Sequence, residues 1–444
     1  MDLALQEFEG SRFEIARGML DAVLSLEQDR PEALLLLADV HRAVEQPYGE
    51  AACLTRLNHV CPGDSDLLCR LALLMSDAIE PEAALAAARQ AVILSPDDPD
   101  VRTVEAKVLR QLGHWDSAVA RLSEALEIDP EFATARLDRA MLLLARGDLA
   151  EAWPDFEYRH EFTAAPEIPS GLPRWQGEPF PDRRLLITTE GGHGDNIWAA
   201  RFIRDVAELG GKITLQVRPA VRRLFESVEG VDDLLNLGQS PTDCDLYCPI
   251  LSLAGCLKVT DPARHPPAQL KPVSDGDEQF ESLLQRAGDQ TRVGIIWSGS
   301  ETYANNSHRA ARIADFLPLL TVPGIQLISL QKEAPQLQLS EQELGSIVLE
   351  ADDGDFAETA ALIEMLDLII MTDTAVAHIA GSMGKPVWVL LDSGPHWYFG
   401  MSEKCSWYPS MRLFRQSTPG DWSTVMKSVI ATLNLQRTHA SKIQ

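Results

Sequence analysis

Four residues that could bind an anion or a hydroxyl group lie together in one short segment. The segment T-D-T-A-V-A-H-I-A-G (372–381) contains Thr372, Asp373, Thr374 and His378, and it follows the apolar run L-D-L-I-I-M. The apolar run predicts a buried strand, and the small residues after Thr374 predict a helix. The free N–H groups and the dipole of a helix N-terminus stabilise an anion, and threonine hydroxyls add donors. The segment therefore predicts a phosphate site, with Asp373 as a possible acceptor for a ribose hydroxyl.

A purely structural interpretation of this segment stays open. Thr374 or Asp373 could simply cap the helix, and His378, at the fourth helical position, could be a packed core histidine. The segment contains no lysine or arginine. A bound phosphate would therefore be held mainly by backbone N–H groups and hydroxyls.

A second turn with possible chemistry is G-G-H-G-D (191–195). Gly192 and Gly194 allow a ligand to approach the backbone closely, and Asp195 enters the helix that follows. The Asp195 carboxylate could accept a proton from an acceptor hydroxyl or amide, or it could only cap the helix. The turn does not read G-x-G-x-x-G, and no acidic residue ends the next strand, so a nicotinamide cofactor is poorly supported.

A third segment, W-S-G-S-E-T-Y-A-N-N-S-H-R-A-A-R (297–312), supplies cations. Ser298 and Gly299 follow a predicted strand, where backbone and hydroxyl groups could contact a ligand. Arg309 or Arg312 could neutralise a leaving diphosphate, although both could equally be solvated surface residues.

The next predicted strand, I-Q-L-I-S-L-Q (325–331), ends at Gln331, and Lys332 follows it. Both reach the same edge of the predicted sheet, with a solvated Lys332 as an equal alternative. The patterns H-E-x-x-H, G-x-S-x-G and G-x-x-x-x-G-K-[ST] do not occur. Metalloprotease, serine hydrolase and P-loop functions therefore lack their motifs.

Alternating strands and helices position these three segments. A strand (185–189), an amphipathic helix (about 196–209) and a second strand (212–217) predict a βαβ unit and a parallel sheet. A second α/β block begins at 291, and its last helix (420–435) is expected to pack back across the domains. Because ligands bind beyond the carboxyl ends of parallel strands, we expect two Rossmann-like domains that face each other across a cleft.

The first third of the chain repeats every 34 residues. Prolines and small residues recur in one register, namely Pro62, Pro96 and Pro130; Ala72, Ala106 and Ala140; Ala84, Ala118 and Ala152; and Gly113 and Gly147. Small residues at this period let antiparallel helices approach closely, and each proline ends the second helix of a unit. The units are predicted at about 31–64, 65–98, 99–132 and 133–164, with a partial unit before Pro31. The first unit is irregular, and its small residue is expected at Ala51 or Ala52.

This pattern resembles the tetratricopeptide repeat, with a generic helical bundle as the alternative. A stack of such units forms a concave surface that suits peptides or partner proteins. The repeat pattern by itself names no ligand.

Charge and composition limit which partners and which cellular compartment are expected. With 66 acidic and 39 basic residues, the net charge of −27 disfavours nucleic acid as a partner. The acidic start M-D-L-A-L-Q-E-F-E is unlike a signal peptide, and no apolar run is long enough for a transmembrane segment. Seven cysteines without a C-x-x-C pair predict reduced thiols in a cytoplasmic protein.

The three segments, in this order, resemble bacterial glycosyltransferases related to the ADP-heptose:lipopolysaccharide heptosyltransferases, which have the two-Rossmann GT-B fold. The resemblance covers about 174–425 and is closest to a branch with N-terminal tetratricopeptide repeats; protein O-GlcNAc transferases are similar more distantly. It is carried by W-Q-G-E-P-F, E-G-G-H-G-D-N-I-W-A-A-R-F, G-I-I-W-S-G-S with N-N-S-H-R-A, I-S-L-Q-K-E, the run from D-F-A-E-T to V-W-V-L-L, and W-Y-P-S-M-R-L-F-R-Q-S-T-P-G-D-W.

The resemblance implies roles for individual residues. Asp195 is the general base, Arg309 assists the leaving group and Gln331 contacts the nucleotide side. The segment that binds the donor diphosphate matches Asp373, Thr374, Ala375 and His378. Two departures are His193, where leucine is more common, and R-A-A in place of R-S-I or R-S-L after Asn306. The acids Asp352, Asp353 and Asp355 are predicted to lie in a solvated loop, although Asp355 and Thr359 match the D-F-A-x-T of the family.

The predicted architecture has four parts: a repeat domain (1–164), a connector (165–182), an acceptor-side Rossmann-like domain (183–272) and a donor-side one (273–444). The predicted function is transfer of a sugar from a nucleotide-diphosphate sugar, and the resemblance implies that this transfer is metal-independent and inverting. The acceptor would be a protein or glycan that the repeats recruit. The alternative is an inactive GT-B adaptor that binds partner proteins through its repeats.

Overall fold

The computed structural model describes residues 1–78, 80–163, 171–241, 243–272, 285–300, 306–332, 334–336, 338, 349–350, 355–394 and 396–440. The chain forms two compact units, Met1–Leu143 and Leu144–Gln444. This division falls earlier than the predicted end of the repeat domain at 164. Parts of the predicted connector (165–170), the start of the predicted donor-side domain (273–284), the loop residues Asp352 and Asp353, and residues 301–305 lie outside the described residues.

The first unit is a helical array in which every helix after the first has 13 or 14 residues. Its helices are α1 Asp2–Glu9, α2 Phe13–Leu26, α3 Pro31–Ala43, α4 Pro47–Val60, α5 Ser65–Ala78, α6 Pro81–Leu94, α7 Pro99–Gln111 and α8 Trp115–Ile128, followed by the start of α9 Ala133–Arg146. Pro62, Pro96 and Pro130 each lie just beyond a helix end, as the repeat predicts. Gly113, between α7 and α8, has a φ of 77°, a left-handed conformation that glycine adopts without steric cost.

The recurring alanines are buried where the 34-residue repeat places them. Ala72, Ala84, Ala106, Ala118, Ala140 and Ala152 are all 0–1% exposed. In the irregular first unit the corresponding position is Glu50, which is 4% exposed and pairs with Arg70 at 2.6 Å. Ala52 is exposed and Ala51 is half-buried. The small residue is absent from the regular position, as expected, because Glu50 and the part-buried Arg70 occupy it. Ala51 packs against the core nearby.

The second unit contains two parallel sheets. The strands are β1 Arg184–Thr188, β2 Lys212–Val217, β3 Asp233–Asn236, β4 Leu246–Pro249, β5 Thr291–Ile296, β6 Ile325–Ser329, β7 Leu349–Glu350, β8 Leu368–Thr372, β9 Val387–Leu391 and β10 Met411–Arg415. Their orders are β3-β2-β1-β4 and β10-β9-β8-β5-β6-β7. The predicted parallel α/β architecture is confirmed. The strand β10 was not predicted.

Both sheets reverse their strand order beside their first strand. β1 pairs with β2 on one side and β4 on the other, and β5 pairs with β6 and β8 in the same way. In open parallel sheets, ligands bind at the carboxyl ends of the strands where the order reverses. The turns after β1, β5 and β8 therefore occupy the positions where the fold expects a ligand.

Helices precede, connect and follow these strands. They are α10 Leu149–Phe156, α11 His193–Ala199, α12 Ile203–Ala207, α13 Arg222–Phe225, α14 Leu253–Cys256, α15 Asn306–Arg309, α16 Ile313–Phe316, α17 Phe356–Glu364, α18 Ala375–Ser382 and α19 Trp422–Ala440. Helix α11 begins earlier than the predicted start near 196, and a 3-10 turn separates it from α12. Asp195 therefore lies in the first turn of α11.

The last helix, α19, packs on the second sheet. Its apolar face, including Trp422, Val425 and Val429, shares one core with Trp388 of β9 and Phe414 of β10. The expectation that this helix packs back across the domains is corrected. The second sheet, which directly precedes α19 in the chain, covers these apolar residues.

Helix α10 belongs to the sheet-containing unit although it continues the repeat pattern. The indole N–H of Trp153 donates to the Val259 carbonyl at 2.7 Å. Beyond α10, Arg159 donates to both carboxylate oxygens of Glu190, at 3.1 and 2.8 Å, and to the Ser252 hydroxyl at 2.7 Å. Because Glu190 directly precedes the turn that carries Asp195, this buried ion pair anchors that turn.

Candidate functional site

The turn after β1 is shaped around the Asp195 carboxylate. Asp195 accepts from the Gly192 N–H and from the Tyr398 hydroxyl. Gly191 has a φ of 63°, and a β-carbon there would lie 2.5 Å from Asp195 Oδ2. A residue with a side chain at position 191 would therefore push the carboxylate out of its place. Gly192 is the N-cap of α11.

Asp195 has a raised pKa. Burial raises the pKa of this carboxyl above its ordinary value, and the negative charge of Asp373 acts in the same direction. The hydrogen bonds from Tyr398 and Gly192 stabilise the carboxylate and oppose this effect. A carboxylate with a raised pKa is a better proton acceptor, which is what a general base requires.

The turn after β8 holds the residues that the first segment predicts. Thr374 is the N-cap of α18, and its hydroxyl accepts from the Val376 N–H at 3.3 Å, so the capping role is confirmed. Thr372, the last residue of β8, is 0% exposed. Its hydroxyl makes no hydrogen bond to the described residues. Because Thr372 is fully buried, a role as a donor to a bound anion remains a prediction without support from its position.

His378 is a buried residue of α18, the helix of the second sheet that packs against α11 of the first sheet. It is 2% exposed, and its Nδ1 lies 3.0 Å from the Tyr408 hydroxyl. A β-carbon on Gly194 would lie 2.9 Å from the His378 ring and 3.4 Å from the Ala375 Cα. Glycine is therefore required at position 194, because α11 and α18 approach each other closely there.

Burial gives His378 a neutral ring. It lowers the pKa of His378 to about 4, against the opposing effect of Asp373. The neutral ring could donate or accept a hydrogen bond, but it could not supply a positive charge to a diphosphate at neutral pH. The packed-histidine interpretation fits this environment, and the nucleotide contact implied by the resemblance remains a prediction.

Asp373 lies between two cations. Its Oδ2 is 3.5 Å from Arg309 Nη1 and 3.6 Å from His396 Nδ1. Burial alone would raise the pKa of Asp373, but His396 and Arg309 outweigh it, so the pKa lies below its ordinary value. The three side chains are 17–19% exposed, so solvent reaches them. Arg309 thus lies at the predicted seam and is not a solvated surface residue.

The turn after β5 is held by the amide side chain of Gln331. Its oxygen accepts from the N–H groups of Trp297 and Ser298 at 3.0 and 2.9 Å. Its nitrogen donates to the carbonyls of Ser298 and Lys332, both at 3.0 Å. Two accepted and two donated bonds fill the capacity of an amide. A nucleotide contact by this side chain would have to replace one of them, so that contact remains a prediction.

Asn306 connects this turn to Arg309. Its oxygen accepts from the Gly299 N–H at 3.2 Å and from Arg309 Nε at 3.3 Å, and its nitrogen donates to the Ser298 hydroxyl at 3.1 Å. A β-carbon on Gly299 would lie 2.6 Å from Arg309 Nη2. Ser298 and Gly299 therefore help to determine where the Arg309 side chain lies.

A buried arginine ties α11 to the segment before β10. Arg201 is 2% exposed and donates to the carbonyls of Trp198 and Trp407 at 2.9 and 2.8 Å. Its guanidinium lies 4.5 Å from the centre of the Tyr408 ring. These contacts hold the residues beyond the strand ends of both sheets in one arrangement.

Ring contacts and ion pairs also connect the residues around His193 and Phe356. The His193 ring lies 5.1 Å from that of Phe356, and Lys332 Nζ lies 5.8 Å from the centre of the same Phe356 ring. Arg223 of α13 pairs with Asp355 and Glu358 at 3.2 and 3.1 Å. The His193 departure is therefore accommodated by an aromatic neighbour, and Lys332 lies against that neighbour.

Sequence reasoning missed four residues that complete the site: Asn306, Asp392, His396 and Tyr398. His396 and Tyr398 follow β9, and the H-W-Y pattern after an apolar strand was the available signal. Elsewhere, the seven cysteines are all free. Within the described ranges, no group of three or more His, Cys, Asp or Glu has an arrangement that could hold a metal ion. No helix in the described part of the chain has the length and apolar character needed to cross a membrane.

Comparison with known proteins decides the nature of the helical array. Residues 103–167 match the tetratricopeptide repeat family. The repeats in this region are tetratricopeptide repeats. Among solved structures, MamA is 20% identical, with 36% of this chain and 94% of MamA covered and a TM-score of 0.34. YrrB, described as a tetratricopeptide-repeat protein with an unusual peptide-binding site, is 18% identical, with 37% and 84% covered and a TM-score of 0.32.

A curated relative extends over most of the chain. Protein FlbA of Caulobacter vibrioides is 27% identical over 372 residues, which cover 77% of this chain and 62% of FlbA. The chain therefore spans less than two thirds of the length of this relative. The similarity is longer than the tetratricopeptide repeats, so it also includes sheet-forming residues of the second unit.

Proposed function

We propose that the second unit transfers a sugar from a nucleotide-diphosphate sugar to an acceptor hydroxyl or amide, and that its fold is of the GT-B type. The observation that carries this proposal is the electrostatic contrast between the residues that follow the strands of the two sheets. Asp195, with a raised pKa, follows β1, while Asp373 and the cation Arg309 lie beyond β8 and β5. In this proposal, Asp195 is the proton acceptor and Arg309 is the group that contacts the anion.

The proposed chemistry assigns one task to each strand end. Asp195 accepts the proton of the acceptor group as that group attacks the anomeric carbon of the sugar. The bond between the anomeric carbon and the diphosphate oxygen breaks, and its electron pair stays on the diphosphate. Arg309 and the first N–H groups of α18 stabilise the negative charge that develops there.

The topology of the second sheet supports this assignment of the donor side. Its order, β10-β9-β8-β5-β6-β7, is that of dinucleotide-binding sheets, in which the phosphates lie where the order reverses. The reversal lies between β5 and β8, and Gly299, Arg309 and Asp373 belong to the segments that follow these two strands. The donor nucleotide would occupy this position.

The tetratricopeptide repeats support a protein or peptide partner. In this proposal they recruit the polypeptide that carries the acceptor group. An adaptor without catalytic activity is the second candidate, and the match to the repeat family favours it, because such repeats commonly serve in protein interaction. The two candidates differ in whether Asp195 matters when the partner is bound.

The first experiment is a thermal-shift and hydrolysis panel on the purified chain with UDP-, GDP-, ADP- and dTDP-sugars. We expect one donor to stabilise the wild type and to be hydrolysed slowly, and Arg309→Gln to lose the shift. Arg412→Gln is the matched control, since Arg412 is 41% exposed on β10 and pairs with Glu403. If no donor shifts the wild type at millimolar concentration, the transfer proposal fails and the adaptor function takes its place.

A further inference from the structure

His396 is in contact with a carboxylate at each of its two ring nitrogens. Nε2 lies 2.9 Å from Asp392 Oδ1, and Nδ1 lies 3.6 Å from Asp373 Oδ2. A neutral imidazole carries one N–H, so its other nitrogen would direct a lone pair at a carboxylate. Both contacts are favourable only when the ring carries two N–H groups and is therefore an imidazolium.

The neighbours of His396 on every side agree with this charge. Asp373 follows β8 and Asp392 follows β9, while Phe399 contributes an apolar ring 6.0 Å away. Burial lowers the pKa of His396, but the two carboxylates outweigh it and raise the pKa to about 9. Arg309 Nη1 lies 3.5 Å from the same Asp373 oxygen, Oδ2.

Asp392 is in turn fixed by its own loop. Its Oδ1 also accepts from the Gly394 N–H at 2.8 Å, and Arg415 of β10 donates to the carbonyls of Gly394 and Gly400. The pKa of Asp392 lies below its ordinary value, because His396 and the Gly394 N–H outweigh its burial. Asp392 therefore stays ionised and can keep the ring charged.

The geometry assigns His396 as a second cation for the diphosphate of the donor, in addition to Arg309, with Asp392 as the residue that positions it. The assignment rests on the proposed function and names a further contact of the same site. Both cations lie near the same oxygen of Asp373, and the side chains of all three residues are 17–19% exposed. A diphosphate beside the N-terminus of α18 would lie within reach of both cations.

A binding experiment separates this role from a purely structural one. The affinities for the nucleoside diphosphates UDP, GDP, ADP and dTDP, and for inorganic diphosphate, would be measured by calorimetry between pH 6 and 9.5. We expect His396→Gln to weaken binding about 10- to 100-fold, the contribution of a charged hydrogen bond, and His396→Arg to restore most of it. His265→Gln, which alters a different histidine–aspartate pair, is the control.

The variant Asp392→Asn gives the sharper test, because it leaves both cations in place. In the wild type the affinity should fall only as the pH approaches 9. In Asp392→Asn the fall should begin at a lower pH, and a titration of the His396 ring by NMR should show the same displacement. If His396 has only a structural role, its ring titration should still be displaced, but the pH dependence of the affinity should not change.

The outcomes distinguish the two proposals. If the wild type binds a nucleoside diphosphate, and His396→Gln binds it equally well or with an unchanged pH profile, the His396 assignment is overturned while the transfer function stands. If the wild type binds neither a nucleoside diphosphate nor inorganic diphosphate, both are overturned. An unshifted His396 titration in Asp392→Asn overturns the positioning role of Asp392 even where no ligand is added.

Discussion

The turns after β1 and β8 have the same construction and opposite electrostatics. Each connects a buried strand to a short helix, and each carries an aspartate, Asp195 or Asp373. Asp195 is surrounded by neutral donors, Tyr398 and the Gly192 N–H, and its pKa is raised. Asp373 is surrounded by cations, and its pKa is lowered. The neighbours of an aspartate therefore determine its pKa and its partners. The strand–turn–helix pattern that presents the aspartate does not.

The largest expected effect is on the rate of transfer, and it distinguishes the role of Asp195 from that of Arg309. Asp195→Asn should lower the rate of transfer by about 10²- to 10⁴-fold, the usual contribution of a general base, while the donor affinity stays nearly unchanged. Arg309→Gln should weaken donor binding. Rates measured over a range of donor concentrations separate the two effects. Equal losses of binding in both variants would contradict the division of roles.

The buried histidine gives a large effect on stability in acid. His378 has an ordinary pKa of 6.5 and a native pKa of about 4, so the unfolded chain binds a proton in this range and the native unit does not. The free energy of unfolding should therefore fall as the pH decreases from 6.5 to 4, by about 3 kcal/mol from this residue.

The variant His378→Gln keeps a polar group beside Tyr408 and removes the titration. Urea unfolding between pH 4 and 7.5 should show a smaller loss of stability for this variant than for the wild type. The difference between the two proteins should not change with pH above 7. An identical acid profile in both proteins would show that His378 is not held neutral.

A smaller effect tests the backbone under Asp195. Gly191→Ala places a residue with a side chain at a φ of 63° and a β-carbon 2.5 Å from the Asp195 carboxylate. We expect a loss of about 2 kcal/mol in stability, from the left-handed conformation and the displaced carboxylate, together with lower activity. Gly238→Ala is matched, because its φ is 89° with no atom within 4 Å of the added carbon. Its loss should be smaller, with activity intact, in thermal-unfolding and rate measurements.

The smallest effect has opposite signs at the two aspartates. Because the native pKa of Asp195 is raised, its ionised form at pH 7 costs stability, and Asp195→Asn should raise the melting temperature. Because the native pKa of Asp373 is lowered, its ionised form stabilises the unit above pH 4 and this contribution is lost as the pH falls. Asp373→Asn should therefore lower the melting temperature at pH 7.

Calorimetry at pH 7 measures both changes, each on the order of 1 kcal/mol or a few degrees. Asp289→Asn, at an exposed aspartate in the turn before β5, is the control. Shifts of the same sign in Asp195→Asn and Asp373→Asn would contradict the opposite electrostatics of the two turns.

Much of the fold could be predicted from local patterns. The 34-residue spacing of prolines and alanines predicts the tetratricopeptide repeats, and the apolar runs predict eight of the ten described strands. The strand β7 (349–350) has no clear signal. The strand β10 was missed because Met411–Arg415 alternates with arginine and follows an irregular segment. The place of Glu50 was missed because its partner, Arg70, lies in the next repeat.

The candidate site could be predicted only in part. Asp195, Asp373, Thr374 and Arg309 were found because each follows a strand that its apolar run identifies. Tyr398 and His396 were not found, since they come from a loop whose position depends on β9 and on Arg415 of β10. A contact such as Asp195–Tyr398, 203 positions apart, has no signature in either local segment.

The sequence by itself determined the helical repeats, the two parallel sheets and the aspartates at their strand ends, because periodicity and turn residues act within a few positions of the chain. The tertiary structure alone decided the charge of each group. It keeps His378 neutral and His396 charged, and it makes Asp195 a weaker acid than Asp373. The physical reason is that a pKa depends on burial and on charges within a few ångströms, and those neighbours come from distant parts of the chain.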